Sequence, residues 1–205
     1  MYELLVLSLL MHWSLHAYRI AKIANDIIGP EEQISTGTLS TLLSKLEQAG
    51  LIIPADPGTT PFSSDRPSRV FTITPAGRER FVELMMDTTS HPGMYRRLFH
   101  IKALHLEFLP REYQLFLVEH FLDHCRKILR SKQSDLQDMV NNPIKQEHLH
   151  PTFREAASAL IQLKQEQWQL ELAWGQSLRT QILLRFTQRG ESLAASGEES
   201  SNVPY

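Results

Sequence analysis

One cysteine, Cys125, among 205 residues leaves no partner for an intrachain disulfide and fits a reducing, cytoplasmic compartment. Charge of one sign is missing too. Lys and Arg number 21 against 23 Asp and Glu, a net charge of −2, so nothing pushes the whole chain toward nucleic acid or anionic membrane. Residues 1–90 are slightly acidic by count, and any nucleic-acid reading must rest on where the cations sit. Long apolar runs are scarce. The opening MYELLVLSLLMHW is too short to span a bilayer, and it carries Glu3 without a basic cluster, so it reads as a buried first helix and not as a signal peptide. Phosphate-binding glycine loops, paired cysteines, a metalloprotease helix and a nucleophile elbow are all lacking, and no enzyme activity or cofactor is expected. Carboxylate pairs such as Glu31-Glu32 fall in a turn and read as solvated.

Composition describes a globular protein, with 42% hydrophobic and 21% charged residues. The stretch GTLSTLLSKLEQAGLI, residues 37–52, is its most informative part. At 100° per residue, Leu39, Leu42, Leu43, Leu46 and Ala49 share one arc of a helix. Gly37, Ser40, Thr41, Ser44 and Gln48 share the opposite arc, with Lys45 at its edge. A solvated face usually carries long charged side chains. This one is short and nearly uncharged, as a face that meets another surface closely would be.

Around it the order of elements is regular. The first helix is apolar nearly all round from Leu4 to Met11. Ser14 is a candidate cap for a second helix, HAYRIAKIANDI, which ends before Gly29-Pro30. Ser35 or Thr36 caps the third. The period then becomes strand-like at Leu51-Ile52-Ile53 and again at 68–74, with a Pro-, Gly- and Ser-rich loop between, and Pro75 opens a fourth helix. Three helices, a hairpin and a helix are the order of a winged helix-turn-helix, whose recognition helix enters the DNA major groove. The third helix takes that place, and the hairpin becomes a wing with Arg66 and Arg69 near phosphates. The fold expected is mainly α with a small β-hairpin wing.

Three segments in order, SLHAYRIAKI, STGTLSTLLSKLEQAGLI and RVFTITPAGRERF, resemble the PadR family of bacterial transcriptional regulators. The likeness is close over about residues 1–88 and looser in the helical remainder, which resembles the family's dimerisation domain. It implies a winged-helix DNA-binding domain at 1–90, a helical dimerisation domain at 91–188 and a disordered tail at 189–205. It also implies a homodimeric regulator, read as a repressor on a palindromic operator in double-stranded DNA. The candidate DNA contacts are His16, Tyr18, Lys22, Ser35, Thr36, Gly37, Ser40, Thr41, Ser44, Lys45, Arg66 and Arg69. Two positions depart from the family pattern. Ser40-Thr41 stands where a Tyr-Pro or similar pair is frequent, and the tyrosine of that pair is a family DNA contact. Ala17 replaces a favoured glycine between His16 and Tyr18. Operator preference therefore does not carry over.

Pro110 opens a helix to about Asn141, with Tyr113, Phe116, Leu117, Phe121, Ile128 and Leu129 expected on buried sides. Pro151 starts the longest helix, running to about Phe186, in which Phe153, Ala156, Leu160, Leu163, Gln167, Leu170 and Trp174 keep a heptad spacing suited to a second subunit. Trp168 and Trp174 are candidates to line a pocket for a flat aromatic effector, to which some members of the family respond. Lying about 240° apart round one helix, they are more readily explained as packing in the dimer core. His120, His124 and Cys125, and the loop Glu147-His148-Leu149-His150, lack the convergence a metal site requires, and none is expected. The rival to DNA binding is a winged helix whose third helix meets a partner protein.

Overall fold

The structure is a computed structural model that describes residues 1–30, 32–62 and 68–198, with side chains described as far as Phe186. The chain divides into two compact units, Met1–Leu109 and Pro110–Tyr205. It is mainly helical with one small antiparallel sheet, as its periodicities predict.

Helix α1 (Tyr2–His12) is the centre of the first unit, and every residue from Leu4 to Leu10 is buried. Even Ser8 is accommodated, because its hydroxyl donates to the Leu5 carbonyl at 2.9 Å. Ser14 does not cap the next helix. Leu15 and His16 instead form a short strand, β1, and α2 (Ala17–Ile28) starts behind it without a side-chain cap. Helix α3 (Thr36–Gln48) is capped by Ser35, whose hydroxyl accepts from the Thr38 amide at 3.1 Å. Strands β2 (Ile52–Ala55) and β3 (Val70–Ile73) form the expected hairpin, with Ile52 opposite Ile73 and Ala55 opposite Val70. The sheet gains a third member because β1 pairs with the other edge of β3, giving the order β1-β3-β2. Two residues are too few to display a period, so β1 left no pattern to read.

Pro75 opens α4 (Pro75–Met86) behind a Thr74 cap. Its Gly77 is set so close to the end of α3 that a Cβ there would lie 2.1 Å from the Leu51 carbonyl oxygen. Helix α5 (Tyr95–Ala103) belongs with the first unit and buries Tyr95, Leu98, Phe99 and Ile101. Buried Lys102 donates to the Asp87 carbonyl at 2.5 Å and so ties α5 to the end of α4; burial pushes its pKa down to about 8. Phe108 meets Phe81 edge to face. A boundary placed at residue 90 would cut through these contacts. The observed division falls at Leu109, because the apolar side of α5 closes the first core.

In the second unit α6 (Arg111–Asn141) and α8 (Pro151–Glu198) lie antiparallel, joined through the short α7 (Pro143–His148). Arg111 sits over the Phe186 ring at one end of the pair. Gly175 lets the helices approach closely, since a Cβ there would meet Leu122 at 2.9 Å. Leu117, Phe121, Leu122 and Cys125 are buried, while Ile128 and Leu129 are half-buried. Tyr113 and Phe116 are exposed, against expectation, because they lie on the side of α6 turned from α8. Burial pushes the Cys125 thiol up to about 12, so it is an inert core residue. The backbone of α8 continues past the expected end near Phe186. The tail placed at 189–205 falls where side chains are not described, and residues 199–205 lie outside the described residues altogether.

Two outcomes follow from this packing. Gly77→Ala should lower stability by about 1–3 kcal/mol in a melting experiment, since neither Leu51 nor the α4 backbone can yield. Gly37→Ala, on the open face of α3, should stay within about 0.5 kcal/mol. The second outcome concerns pH. Buried His105 shares a 3.1 Å hydrogen bond with His12, and burial together with His12 lowers its pKa from 6.5 to about 4. Below 6.5 the unfolded chain takes up a proton that the folded chain refuses until about 4, so stability should fall as pH drops through that window. His105→Gln should flatten the fall; an unchanged slope in melting temperature would assign the proton uptake elsewhere.

Candidate nucleic-acid interface

The geometry of α3 is set at both ends. At its start, Asn25 of α2 clamps the preceding turn: its amide nitrogen donates to the Ile34 carbonyl at 3.2 Å, and its amide oxygen accepts from the Ile34 N–H at 2.7 Å. Ile34 is itself buried, so the turn between α2 and α3 has a fixed angle. At its end, Gly50 adopts φ +70°, the Gly50 N–H donates to the Glu47 carbonyl at 3.0 Å, and the Leu51 N–H donates to the Leu46 carbonyl at 2.9 Å. That paired closure is the Schellman motif, and it requires the left-handed conformation that glycine tolerates.

Between these ends the two arcs separate. Leu39, Leu43 and Leu46 are buried and Leu42 is half-buried, each full burial stabilising by about 1.5–3 kcal/mol. Ala49, the C-cap residue just past the end of α3 at Gln48, is exposed, against expectation. Ser35, Thr36, Gly37, Ser40, Thr41, Ser44, Lys45 and Gln48 are all exposed. The Thr41 hydroxyl donates back to the Gly37 carbonyl at 3.0 Å, which fixes its rotamer and turns the methyl group to a definite side. Concavities flank this face. The larger, about 590 Å³, has Tyr18, Lys22, Thr36, Ser40, Ser44 and Arg69 on its walls over a floor that includes Leu39 and Phe71. The smaller, about 430 Å³, touches Gly37, Thr41 and Lys45 from the other side. Helix α3 therefore stands as a ridge, with Ser35, Thr36, Gly37, Ser40, Thr41 and Ser44 along it or on these walls.

The remaining candidates sit differently. His16 is buried, with Nδ1 3.1 Å from the Ser68 carbonyl, at the base of the sheet and not on its outer side. Half-buried Tyr18 leans on His16, and its hydroxyl accepts from Arg19 Nε at 3.2 Å. Lys22 and Lys45 are exposed and make no ion pair among the described residues. Arg66 lies outside the described residues. Arg69 is exposed at the foot of the wing, and its charge is already engaged: Nη2 is 2.5 Å from Glu47 Oε1, and the guanidinium lies 4.9 Å from the Phe71 ring centre. Neither Asn25 nor Glu47 stands out in the sequence. Their partners are nine and 22 positions away, and no spacing rule links such pairs.

The two tryptophans of α8 both turn toward α6. Trp168 packs edge to face on His124 at 5.5 Å, and Trp174 does the same on Phe121 at 5.9 Å. The helix pair thus brings them to neighbouring turns of α6 in spite of their angular separation. Burial and neighbouring His120 and Lys127 lower the pKa of His124. Among the described residues no group of three or more His, Cys, Asp or Glu is placed to hold a metal ion, and no helix is long and apolar enough to cross a membrane.

Comparison with known proteins gives one sequence match and several structural likenesses. Residues 6–83 match the model of the transcriptional regulator PadR-like family. No curated protein matches the chain. Among solved structures, Bacillus subtilis PadR in complex with operator DNA is similar at 19% identity, with 88% of this chain and 98% of that one covered and a TM-score of 0.38. The Vibrio cholerae virulence activator AphA is similar at 18% identity, with 90% and 99% covered and a TM-score of 0.37. Bacillus subtilis PadR in complex with p-coumaric acid gives 18% identity, 88% and 97% covered, and a TM-score of 0.37. The matched residues take in most of α1, all of α2 and α3, the wing and most of α4, so the similarity to the transcriptional regulator PadR-like family lies within the N-terminal unit of this protein.

Proposed function

We propose that the protein is a transcriptional repressor that binds a palindromic DNA operator as a homodimer, with α3 as the recognition helix. The observation that carries this reading is the exposed arc of α3. Its side chains are short, hydroxyl-bearing and nearly uncharged, so the helix backbone approaches a groove closely. Ser40, Thr41 and Ser44 read base edges, the Thr41 methyl meets thymine, and Lys45 and Lys22 meet phosphate. Ser35, Thr36 and Gly37 bring the start of α3, with its positive dipole end, against the backbone. His16 and Tyr18 act from beneath as support for the wing and α2. A signal, with a flat aromatic effector as one candidate, shifts the spacing of the two winged helices so that both half-sites no longer fit together. Trp168 and Trp174 remain the candidates to sense it, though their partners on α6 favour a packing role.

Dimerisation is assigned to α8. Its heptad residues from Phe153 to Leu170 stay exposed within one chain, with Phe153 57% exposed, Leu163 50% and Leu170 73%, while the last member, Trp174, packs on Phe121 of α6. An apolar row of that length on one helix is what a second copy covers. Leu163→Glu and Leu170→Glu disturb no burial within the chain, so each should leave the melting curve of the monomer fold intact while sedimentation shows dissociation. A dimer that survives both changes would move the interface elsewhere.

The acidic count of residues 1–90 favours a second reading, in which α3 docks on a protein. Binding to single-base variants of the upstream DNA separates the two. Thr41→Ala and Ser44→Ala should redistribute preference among variants by about 1–3 kcal/mol per base contact, with stability nearly unchanged. Lys45→Ala should weaken every duplex alike and flatten the salt slope by about 0.9. If all three leave DNA binding untouched, α3 does not read DNA and the protein-contact reading replaces this one.

A further inference from the structure

We infer that Glu47 is an internal counter-ion that competes with DNA phosphate for Arg69, lowering affinity for duplex of any sequence. The inference rests on the DNA reading above and names how its electrostatic part is restrained.

Arg69 immediately precedes β3, and its backbone is fixed, since its carbonyl accepts from the Ala17 N–H at 3.0 Å. Only the side chain is free to turn. It is held from two sides, by Glu47 Oε1 at 2.5 Å and by the face of Phe71 at 4.9 Å. The Arg69 side chain is 58% exposed while that of Glu47 is 28% exposed, so the cation is the partner more open to an arriving phosphate.

A stability role does not account for the pair. Exposed ion pairs add little to folding. Glu47 lies in the last turn of α3, where the helix dipole disfavours an anion, so without Arg69 the carboxylate is badly placed. What the position does offer is proximity to the ridge that meets DNA. A phosphate arriving at the foot of the wing finds Arg69 already neutralised and exchanges one ion pair for another. Non-specific binding consists almost wholly of phosphate neutralisation, so a random duplex reports this exchange without base contacts overlaid on it. Lys22 and Lys45, without ion pairs among the described residues, are under no such restraint.

The test uses full-length protein and a short duplex of random sequence, with binding measured across a range of salt and melting curves taken for each variant. Glu47→Gln keeps shape and hydrogen bonding but removes the charge. It should bind the random duplex several-fold more tightly at low salt, with a salt slope steeper by about 0.9. Glu47→Ala should do the same. In Glu47→Gln/Arg69→Ala the gain should vanish, leaving the behaviour of Arg69→Ala alone. If Glu47→Gln and Glu47→Ala melt normally and bind no more tightly, the counter-ion role is overturned while the DNA reading stands. If the gain persists without Arg69, Glu47 repels the duplex directly and the assigned exchange is wrong. If the unaltered protein shows no salt-dependent binding at all, the DNA reading fails and this inference with it.

Discussion

The first unit depends on the place where Leu51 meets the start of α4. The Leu51 carbonyl accepts from the Thr74 N–H at 3.1 Å and from the Thr74 hydroxyl at 3.1 Å, while that hydroxyl also approaches the Gly50 carbonyl at 2.7 Å. The same hydroxyl receives the Gly77 N–H at 3.0 Å, and the missing Cβ of Gly77 is what lets the two backbones come together. One threonine and two glycines thus end α3, start α4 and fix both feet of the hairpin. Because α3 is also clamped at its start by Asn25, its roll about its own axis is determined at both ends. That roll decides which arc is buried. A helix free to turn by one residue, about 100°, would expose a leucine and hide a serine.

These features differ in how legible they are from residues alone. The leucine arc of α3 and its bare opposite arc are a period within one element, and the structure returns them as read except at Ala49. Pro75, Pro110 and Pro151 mark helix starts because proline lacks the donor that the first turn does not need, and each helix begins there or one residue later. Strand β1 was invisible for the opposite reason. Its two residues earn their strand geometry only from β3, 54 or more positions away along the chain. His16 turned inward for the same cause, since a residue in the sheet edge has its orientation fixed by pleat and not by helical period.

The heptad on α8 shows where a period stops being informative. Its seven positions do form one row, but a row of apolar residues does not say which neighbour it faces. In the chain, α6 packs along Trp168, Trp174, Gly175 and Ile182 of α8, and so the heptad row from Phe153 to Leu170 is left over. Glycine at 175 belongs to the α6 side, since a Cβ there would lie 2.9 Å from Leu122 and 3.3 Å from Phe121.

Charge count is the least reliable guide of all, for a physical reason visible in the ion pairs. Residues 1–90 carry more acids than bases, which weighs against DNA if charges are treated as a sum. The acids are not spread evenly, however. Glu3 pairs with Arg80 at 2.8 Å, Glu83 with the same guanidinium at 3.0 Å, Glu32 with Arg97 and Glu47 with Arg69. Each of these carboxylates has its field largely cancelled within a few ångströms, well inside a Debye length of about 8–10 Å. What a distant polyanion feels is the remainder, and along the ridge of α3 that remainder is Lys22 and Lys45 with no unpaired carboxylate on the helix itself. Local pairing, not total charge, sets the sign of the face.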